Sequence, residues 1–149
     1  MGQYKFGSTS IARMQGVNPL LQKVAFRAIR ISSRKKNGVD FTIPPFGGIR
    51  TAEEQNELFK QGVSKCDGFN ELSYHQTGNA LDVLPIITIA GKKGNRIYTK
   101  DVTNEQRELA FHKVATCMLQ AAAELGVKVQ WGGSWTWLDF PHYEIVPDK

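Results

Sequence analysis

The chain has 149 residues, a net charge of +5 and a hydrophobic content of 41%. This length predicts one domain spanning residues 1–149, and the apolar content excludes intrinsic disorder as the main state. The longest nearly apolar run, residues 83–90, is too short to span a bilayer as a helix. The positive charge favours polyanionic partners, but it does not choose among nucleic acids, anionic membranes and acidic polymers.

Helix and strand signals alternate along the chain, which predicts an α+β fold. In chain order the patterns predict a helix over 19–32, a strand over 39–43, a helix over 52–61, a polar surface loop over 62–78, a strand over 80–85, a hairpin over 86–98, a helix over 104–125 and strands over 127–131 and 140–146. Asn18 before Pro19 and the capping boxes that begin at Thr51 and Thr103 mark where the helices start. Gly62 and Gly126 mark two of the helix ends.

Two histidines and one aspartate are candidate metal ligands. His75 lies in the polar loop, and Asp82 lies among apolar neighbours, where a carboxylate is costly to bury unless it is paired or bound to a cation. If the sheet brings His142 beside Asp82, the three side chains could bind zinc and leave a fourth position for water. On spacing alone, a hydrogen-bonded structural Asp82 is an equal alternative. The two cysteines show no Cys-x-x-Cys spacing, so a thiolate site is excluded.

Asp139 and Arg50 are the candidate catalytic residues. Asp139 lies three residues before His142, near enough to act as a general base on a zinc-activated water. Its alternative role is to cap a turn. Arg50 directly precedes a predicted helix and could stabilise an oxyanion or hold a substrate carboxylate. Its alternative is a surface ion pair with Glu53 or Glu54.

Four short motifs follow one another along the chain. They are Gly48-x-Arg50-Thr51-x-x-x-Gln55, Ser73-x-His75-x-x-Gly78-x-Ala80-x-Asp82, Trp131-Gly132-Gly133-x-Trp135 and Asp139-x-Pro141-His142. Together they resemble the zinc peptidases that include D-alanyl-D-alanine carboxypeptidases and phage L-alanyl-D-glutamate endopeptidases. The resemblance is greatest to the phage endolysin branch and covers nearly the whole chain.

The resemblance implies both a fold and a set of site residues. The fold is the small α+β fold of the D-alanyl-D-alanine peptidases and hedgehog-like proteins, with a central antiparallel sheet and about three flanking helices. The implied residues are His75, Asp82 and His142 as ligands of one zinc ion, Asp139 as the catalytic base, Arg50 as an electrostatic partner of the attacked carbonyl, and Gln55, Ser73 and Trp135 near the substrate.

The resemblance also implies a biological role. The protein would be an endolysin that cleaves the L-alanyl-D-glutamate bond of peptidoglycan stem peptides during host lysis. No secretory signal is visible, so we expect synthesis in the host cytoplasm and release to the cell wall by a holin. We expect a monomer with no separate cell-wall-binding domain and no nucleic-acid partner. The basic segment 34–36 departs from the family pattern and is either a longer turn or a contact to an anionic envelope polymer.

Two other functions stay open on the sequence. The same metal site could serve a D-alanyl-D-alanine carboxypeptidase, and the position of cleavage would distinguish it from an endopeptidase. The protein could also be a basic binding module whose zinc is structural. Structural zinc sites usually have four protein ligands, so a predicted site with three ligands and a nearby free carboxylate favours an enzyme.

Overall fold

The computed structural model describes residues 3–89, 91–94 and 97–146. Its helices are α1 (Ser8–Arg13), α2 (Pro19–Arg34), α3 (Ala52–Lys60) and α4 (Asn104–Leu125). Its strands are β1 (Asp40–Thr42), β2 (Ala80–Asp82), β3 (Leu84–Ile89), β4 (Lys92–Gly94), β5 (Val129–Trp131) and β6 (His142–Ile145). Two short 3-10 turns, Tyr74–Thr77 and Gly132–Ser134, precede β2 and β6.

The three predicted helices are confirmed, and their first turns are capped as the sequence predicts. The Asn18 side chain accepts a hydrogen bond from the N–H of Leu20 at the start of α2. At the start of α3, the Thr51 hydroxyl accepts from the N–H of Glu54, and the Glu54 carboxylate accepts from the N–H of Thr51. These bonds satisfy N–H groups that have no partner within the helix. Helix α1 was not predicted, since it is short and has no side-chain cap.

The predicted strand over residues 80–85 is divided between two sheets. Asp82 is paired with His142 in the antiparallel sheet β2-β6-β5, whereas Leu84 is paired with Thr42 in the antiparallel sheet β1-β3-β4. Between them, the N–H of Val83 donates to the carbonyl of Pro141. The antiparallel α+β architecture is confirmed, but the predicted central sheet is two small sheets of three strands.

The predicted hairpin is formed by β3 and β4, with Ile89 opposite Lys92 and Ile87 opposite Gly94. The sequence predicts residues 91–94 at the turn of this hairpin. In the structure, Lys92–Gly94 form strand β4, directly after Gly91. The predicted hairpin extends to residue 98, but β4 ends at Gly94, and Ile97 and Tyr98 lie in a turn. Residues 90, 95 and 96 lie outside the described residues.

The core lies where α2 and α4 pack against each other and against the sheets. Side chains alternate between the two faces of a strand, so Leu81 of β2 and Tyr143 of β6 point into this core. The neighbouring Asp82 and His142 then point to the opposite face of the same sheet. No described helix is both long and apolar enough to cross a membrane.

The two cysteines do not form a disulfide. Cys117 is buried in α4, Cys66 is half-buried in the loop after α3, and both are free thiols. Burial raises the pKa of each thiol above its usual value. Neither thiol is therefore activated as a nucleophile.

Candidate active site

His75, Asp82 and His142 converge on one point. The Nε2 atom of His75 lies 3.1 Å from Oδ1 of Asp82 and 3.2 Å from Nδ1 of His142. The third side of this triangle, from Asp82 Oδ1 to His142 Nδ1, is 3.4 Å. Ligand atoms about 2.0–2.2 Å from a tetrahedral metal ion lie roughly 3.3 Å from one another. The three residues therefore form a group that could hold a metal ion.

Two hydrogen bonds determine which imidazole nitrogens face this point. The carbonyl of Gly48 accepts a hydrogen bond from Nδ1 of His75 at 2.8 Å. The carboxylate of Glu144 accepts one from Nε2 of His142 at 2.7 Å. A neutral imidazole that carries its proton on one nitrogen presents a lone pair at the other. When both imidazoles are neutral, His75 Nε2, His142 Nδ1 and Asp82 Oδ1 present three lone pairs to one point, which is the donor set a metal ion requires.

The electrostatics of the triangle favour a cation. Burial opposes ionisation of Asp82, but the two histidines outweigh it and hold the pKa of that carboxyl well below its usual range. Burial lowers the pKa of His142, whereas its hydrogen bonds to Asp82 and Glu144 raise it, and the pKa is about 9. Both shifts show that the surrounding groups stabilise positive charge at this position.

Arg50 is paired with Asp82 rather than with the acidic residues of α3. Its Nη2 donates to Oδ2 of Asp82 at 3.0 Å, its Nη1 to Oε1 of Gln55 at 3.0 Å, and its Nε to the carbonyl of Phe46 at 2.7 Å. Burial lowers the pKa of the guanidinium, and the charge of Asp82 opposes that effect. Because Arg50 engages the second oxygen of Asp82, the first oxygen is left facing the histidines.

Gln55 lies behind the site rather than on its surface. Its side chain is 0% exposed, so the structure does not place it against a bound substrate. Its Oε1 accepts from Arg50, while its Nε2 donates to Oγ of Ser64 at 2.7 Å and to the carbonyl of Cys66 at 2.9 Å. Gln55 therefore connects the arginine to the loop that follows α3.

Asp139, Ser73 and Trp135 line a cleft of about 540 Å3 that opens beside the triangle. The carboxylate of Asp139 lies 3.9 Å from Nδ1 of His142, and burial together with the charge of Asp82 raises its pKa. The ring centre of Trp135 lies 5.2 Å from that of His142.

Ser73 is buried at the edge of this cleft and has a structural task of its own. Its hydroxyl accepts from the N–H of His75, and its own N–H donates to the side chain of Gln76. These two bonds form a capping box for the 3-10 turn that carries His75. Ser73 thereby helps to position a residue of the triangle.

Glu144 and the carbonyl of Gly48 are absent from the predicted site. Glu144 lies two residues after His142, on the same face of β6, and this spacing is the signal that could have identified it. Gly48 lies in a quoted motif, but a backbone carbonyl leaves no trace in the residue type. Its bond to His75 joins residues 27 positions apart.

The sequence model of the phage L-alanyl-D-glutamate peptidase family matches residues 1–145. The chain belongs to this family. It is 34% identical over 142 residues to the L-alanyl-D-glutamate peptidase of Escherichia phage T5, covering 95% of this chain and 89% of that protein. It is 28% identical over 138 residues to the peptidoglycan L-alanyl-D-glutamate endopeptidase CwlK of Bacillus subtilis strain 168, covering 89% of this chain and 75% of that protein.

The fold of this family member is also similar to a solved structure. The crystal structure of the Serratia marcescens L-Ala D-Glu endopeptidase ChiX matches it with a TM-score of 0.71 at 29% identity, covering 97% of this chain and 91% of that chain. The comparisons confirm the family, the fold class and the peptidase class predicted from the four motifs. They favour an endopeptidase over both the carboxypeptidase and the binding module.

Proposed function

We propose that this family member is a zinc-dependent endopeptidase that hydrolyses the L-alanyl-D-glutamate bond of peptidoglycan stem peptides. The observation that carries the proposal is the convergence of three lone pairs, from two histidines and one carboxylate, at the wall of an open cleft. Nitrogen and oxygen donors at these separations suit zinc, and three protein ligands leave a position for water or substrate.

The proposed mechanism assigns one task to each residue. His75, Asp82 and His142 hold the zinc ion, which when bound supplies Lewis-acid chemistry by polarising a carbonyl and acidifying a water molecule. Asp139 takes a proton from the attacking water and then delivers it to the leaving amine of the D-glutamyl residue. Its raised pKa suits both tasks, because proton transfer in two directions is most effective when the pKa approaches the working pH.

Arg50 and Trp135 act on the substrate in this proposal. Arg50 has five N–H donors, and three of them are used within the described part of the chain. The other two are available to stabilise negative charge on the carbonyl oxygen of the scissile bond. Trp135 forms an aromatic wall for the stem peptide, and Ser73 marks the edge of the cleft. Gln55, predicted to lie near the substrate, is assigned the task of positioning Arg50.

We further propose that the enzyme acts in host lysis. In this scheme the protein is synthesised in the host cytoplasm, reaches the cell wall when a holin permeabilises the membrane, and works as a monomer. The relative from phage T5 supports a phage origin. Light scattering on the purified protein tests the monomer, and co-expression with and without a holin tests the route to the wall.

Mass spectrometry of peptidoglycan fragments tests the reaction. Purified fragments are incubated with wild-type, metal-stripped, zinc-restored and Asp139→Ala protein. New L-alanine C-termini and D-glutamate N-termini that require both zinc and Asp139 are the expected result. Release of terminal D-alanine would instead assign a carboxypeptidase. Absence of cleavage by folded, zinc-loaded protein would overturn the enzyme assignment.

Removing the carboxylate behind His142 is expected to weaken zinc binding. Glu144→Ala should lower the zinc affinity by about 10- to 100-fold, because His142 loses the acceptor that orients its ring. Glu144→Gln keeps an acceptor oxygen and should lose less. Competition with a chromogenic chelator measures the affinity, and Glu108→Ala on the exposed face of α4 is the matched control. Wild-type affinity in folded Glu144→Ala would contradict the orienting role.

A methyl group at Gly48 is expected to disturb both the fold and the metal site. A Cβ at this position would overlap the backbone carbonyl oxygen of Arg13. Gly48→Ala should therefore lower the free energy of unfolding by about 1–3 kcal/mol. It should also weaken zinc binding, because the displaced Gly48 carbonyl no longer orients His75.

Urea unfolding and zinc titration measure the two effects of Gly48→Ala. Gly7→Ala is the control, since a Cβ there meets no atom within 4 Å and its φ of -79° suits any residue. If Gly48→Ala bound zinc as tightly as Gly7→Ala, the Gly48 carbonyl would not be needed to orient His75.

A further inference from the structure

Lys65 is a cation on the wall of the active-site cleft that the proposed mechanism does not use. Its side chain lines the same cleft as His75 and Asp139. Its ammonium nitrogen lies 5.1 Å from the centre of the Trp137 ring. Within residues 3–89, 91–94 and 97–146, Lys65 makes no ion pair, whereas Arg50, which also lines the cleft, is paired with Asp82. Lys65 is therefore free to bind an anion.

The residues on both sides of Lys65 are anchored to the catalytic site. Gln55 donates one hydrogen bond to the Ser64 side chain and another to the Cys66 carbonyl, at 2.7 Å and 2.9 Å. The same amide accepts from Arg50 at 3.0 Å. A pre-ordered segment loses less conformational entropy when it binds a ligand. The Trp137 ring adds a cation–π contact that restrains the ammonium group.

Three carboxylates of the cleft oppose an acidic substrate, and a cation on the cleft wall offsets part of that repulsion. Asp82, Asp139 and Glu144 all line the cleft, and an incoming carboxylate is repelled by each of them. In the stem peptide the D-glutamyl residue is joined onward through its side-chain carboxyl, so its α-carboxylate is free. That carboxylate is attached to the carbon next to the nitrogen that leaves. It must therefore enter the cleft beside the reacting bond.

We propose that Lys65, supported by Trp137, binds the free α-carboxylate of the D-glutamyl residue. The ammonium donates charge-assisted hydrogen bonds to the carboxylate oxygens. Because of this contact with Lys65, the enzyme selects stem peptides with a free α-carboxylate over those in which the carboxylate is amidated. This inference rests on the proposed function and names the feature of the substrate that the cleft selects.

Two synthetic peptides test the proposal. The first is N-acetyl-L-alanyl-γ-D-glutamyl-L-lysine with a free α-carboxylate, and the second carries an α-carboxamide at the same position. Zinc-loaded wild type should show a kcat/KM at least about 10-fold higher on the carboxylate peptide. Lys65→Met should lower kcat/KM on that peptide about 10-fold, mainly through KM, and change the value on the amide peptide less than about twofold. Lys65→Arg should keep most of the preference.

Lys60→Met, which removes an exposed lysine at the end of α3, is the control and should match wild type on both peptides. Equal losses on the two peptides in Lys65→Met would show that Lys65 supports the loop and would overturn the proposal. Equal cleavage of both peptides by wild type would overturn it as well. Failure of the proposed function gives a different result, since zinc-loaded wild type would then cleave neither peptide.

Discussion

Asp139→Asn is expected to lower kcat about 1000-fold while leaving the fold and the zinc content unchanged. An asparagine amide has nearly the shape of the carboxylate, but it cannot take a proton from water or return one to the leaving amine. The backbone of Asp139 donates to the carbonyl of Gly132 at 2.9 Å and accepts from the N–H of His142 at 3.1 Å. The substitution keeps both bonds, so the ligand strand should stay in place. Peptide cleavage followed by mass spectrometry and metal analysis measure the two quantities.

Glu108→Gln is the matched control for the loss of a carboxylate. Glu108 is exposed on α4, and its replacement should leave kcat within about twofold of wild type. Retention of more than about a tenth of the activity by zinc-loaded Asp139→Asn would mean that another group is the base. Loss of zinc together with activity would assign Asp139 to the metal ligands instead.

Removal of zinc by a chelator is expected to abolish hydrolysis and to lower the Tm. The folded protein presents three converging lone pairs that the unfolded chain does not hold together, so zinc binds the native state preferentially. At a free zinc concentration 100 times Kd, this linkage contributes about 2.7 kcal/mol, which corresponds to a Tm shift of roughly 10 °C. Adding zinc back should restore both quantities. Thermal melting and peptide cleavage on the same samples measure them.

Asp82→Asn distinguishes binding at this site from binding of zinc elsewhere on the surface. The substitution removes the negative ligand and weakens the contact with Arg50. Its Tm should therefore not rise when zinc is added. An equal rise in wild type and Asp82→Asn would place the metal at another position. Full activity of chelated wild type would overturn the metal dependence.

Much of the local structure could be predicted because it depends on neighbouring residues. The helix starts at Pro19 and Ala52 follow from caps that reach only two or three positions along the chain. The end of α4 follows from Gly126, whose φ of +70° is accessible at little cost to a residue without a side chain. The residues with metal-binding and acid–base chemistry could also be named, since only a few residue types carry that chemistry. Their order along the chain indicated the family.

Other features depend on contacts between distant segments, and only the tertiary structure decided them. Residues 80–85 are divided between two sheets because different strands lie beside Asp82 and Leu84. The same apolar run is compatible with one continuous strand or with two strands, so the sequence does not distinguish them. Arg50 pairs with Asp82, 32 positions away, although acidic residues lie much closer in the sequence. A helix start restricts the backbone of Arg50 but does not determine which carboxylate its side chain reaches.

The contacts of the residues that support the site could not be predicted from the sequence either. Gln55 belongs to a recognisable motif, yet its complete burial and its bonds to Ser64 and Cys66 exist only when the loop after α3 folds back over it. Glu144 orients His142 because Tyr143 between them packs into the core, which turns the face of β6 that carries both residues toward the cleft. The sequence by itself therefore determined the chemical groups and the local elements. The tertiary structure decided their partners, because hydrogen bonds and burial depend on which distant segments pack together.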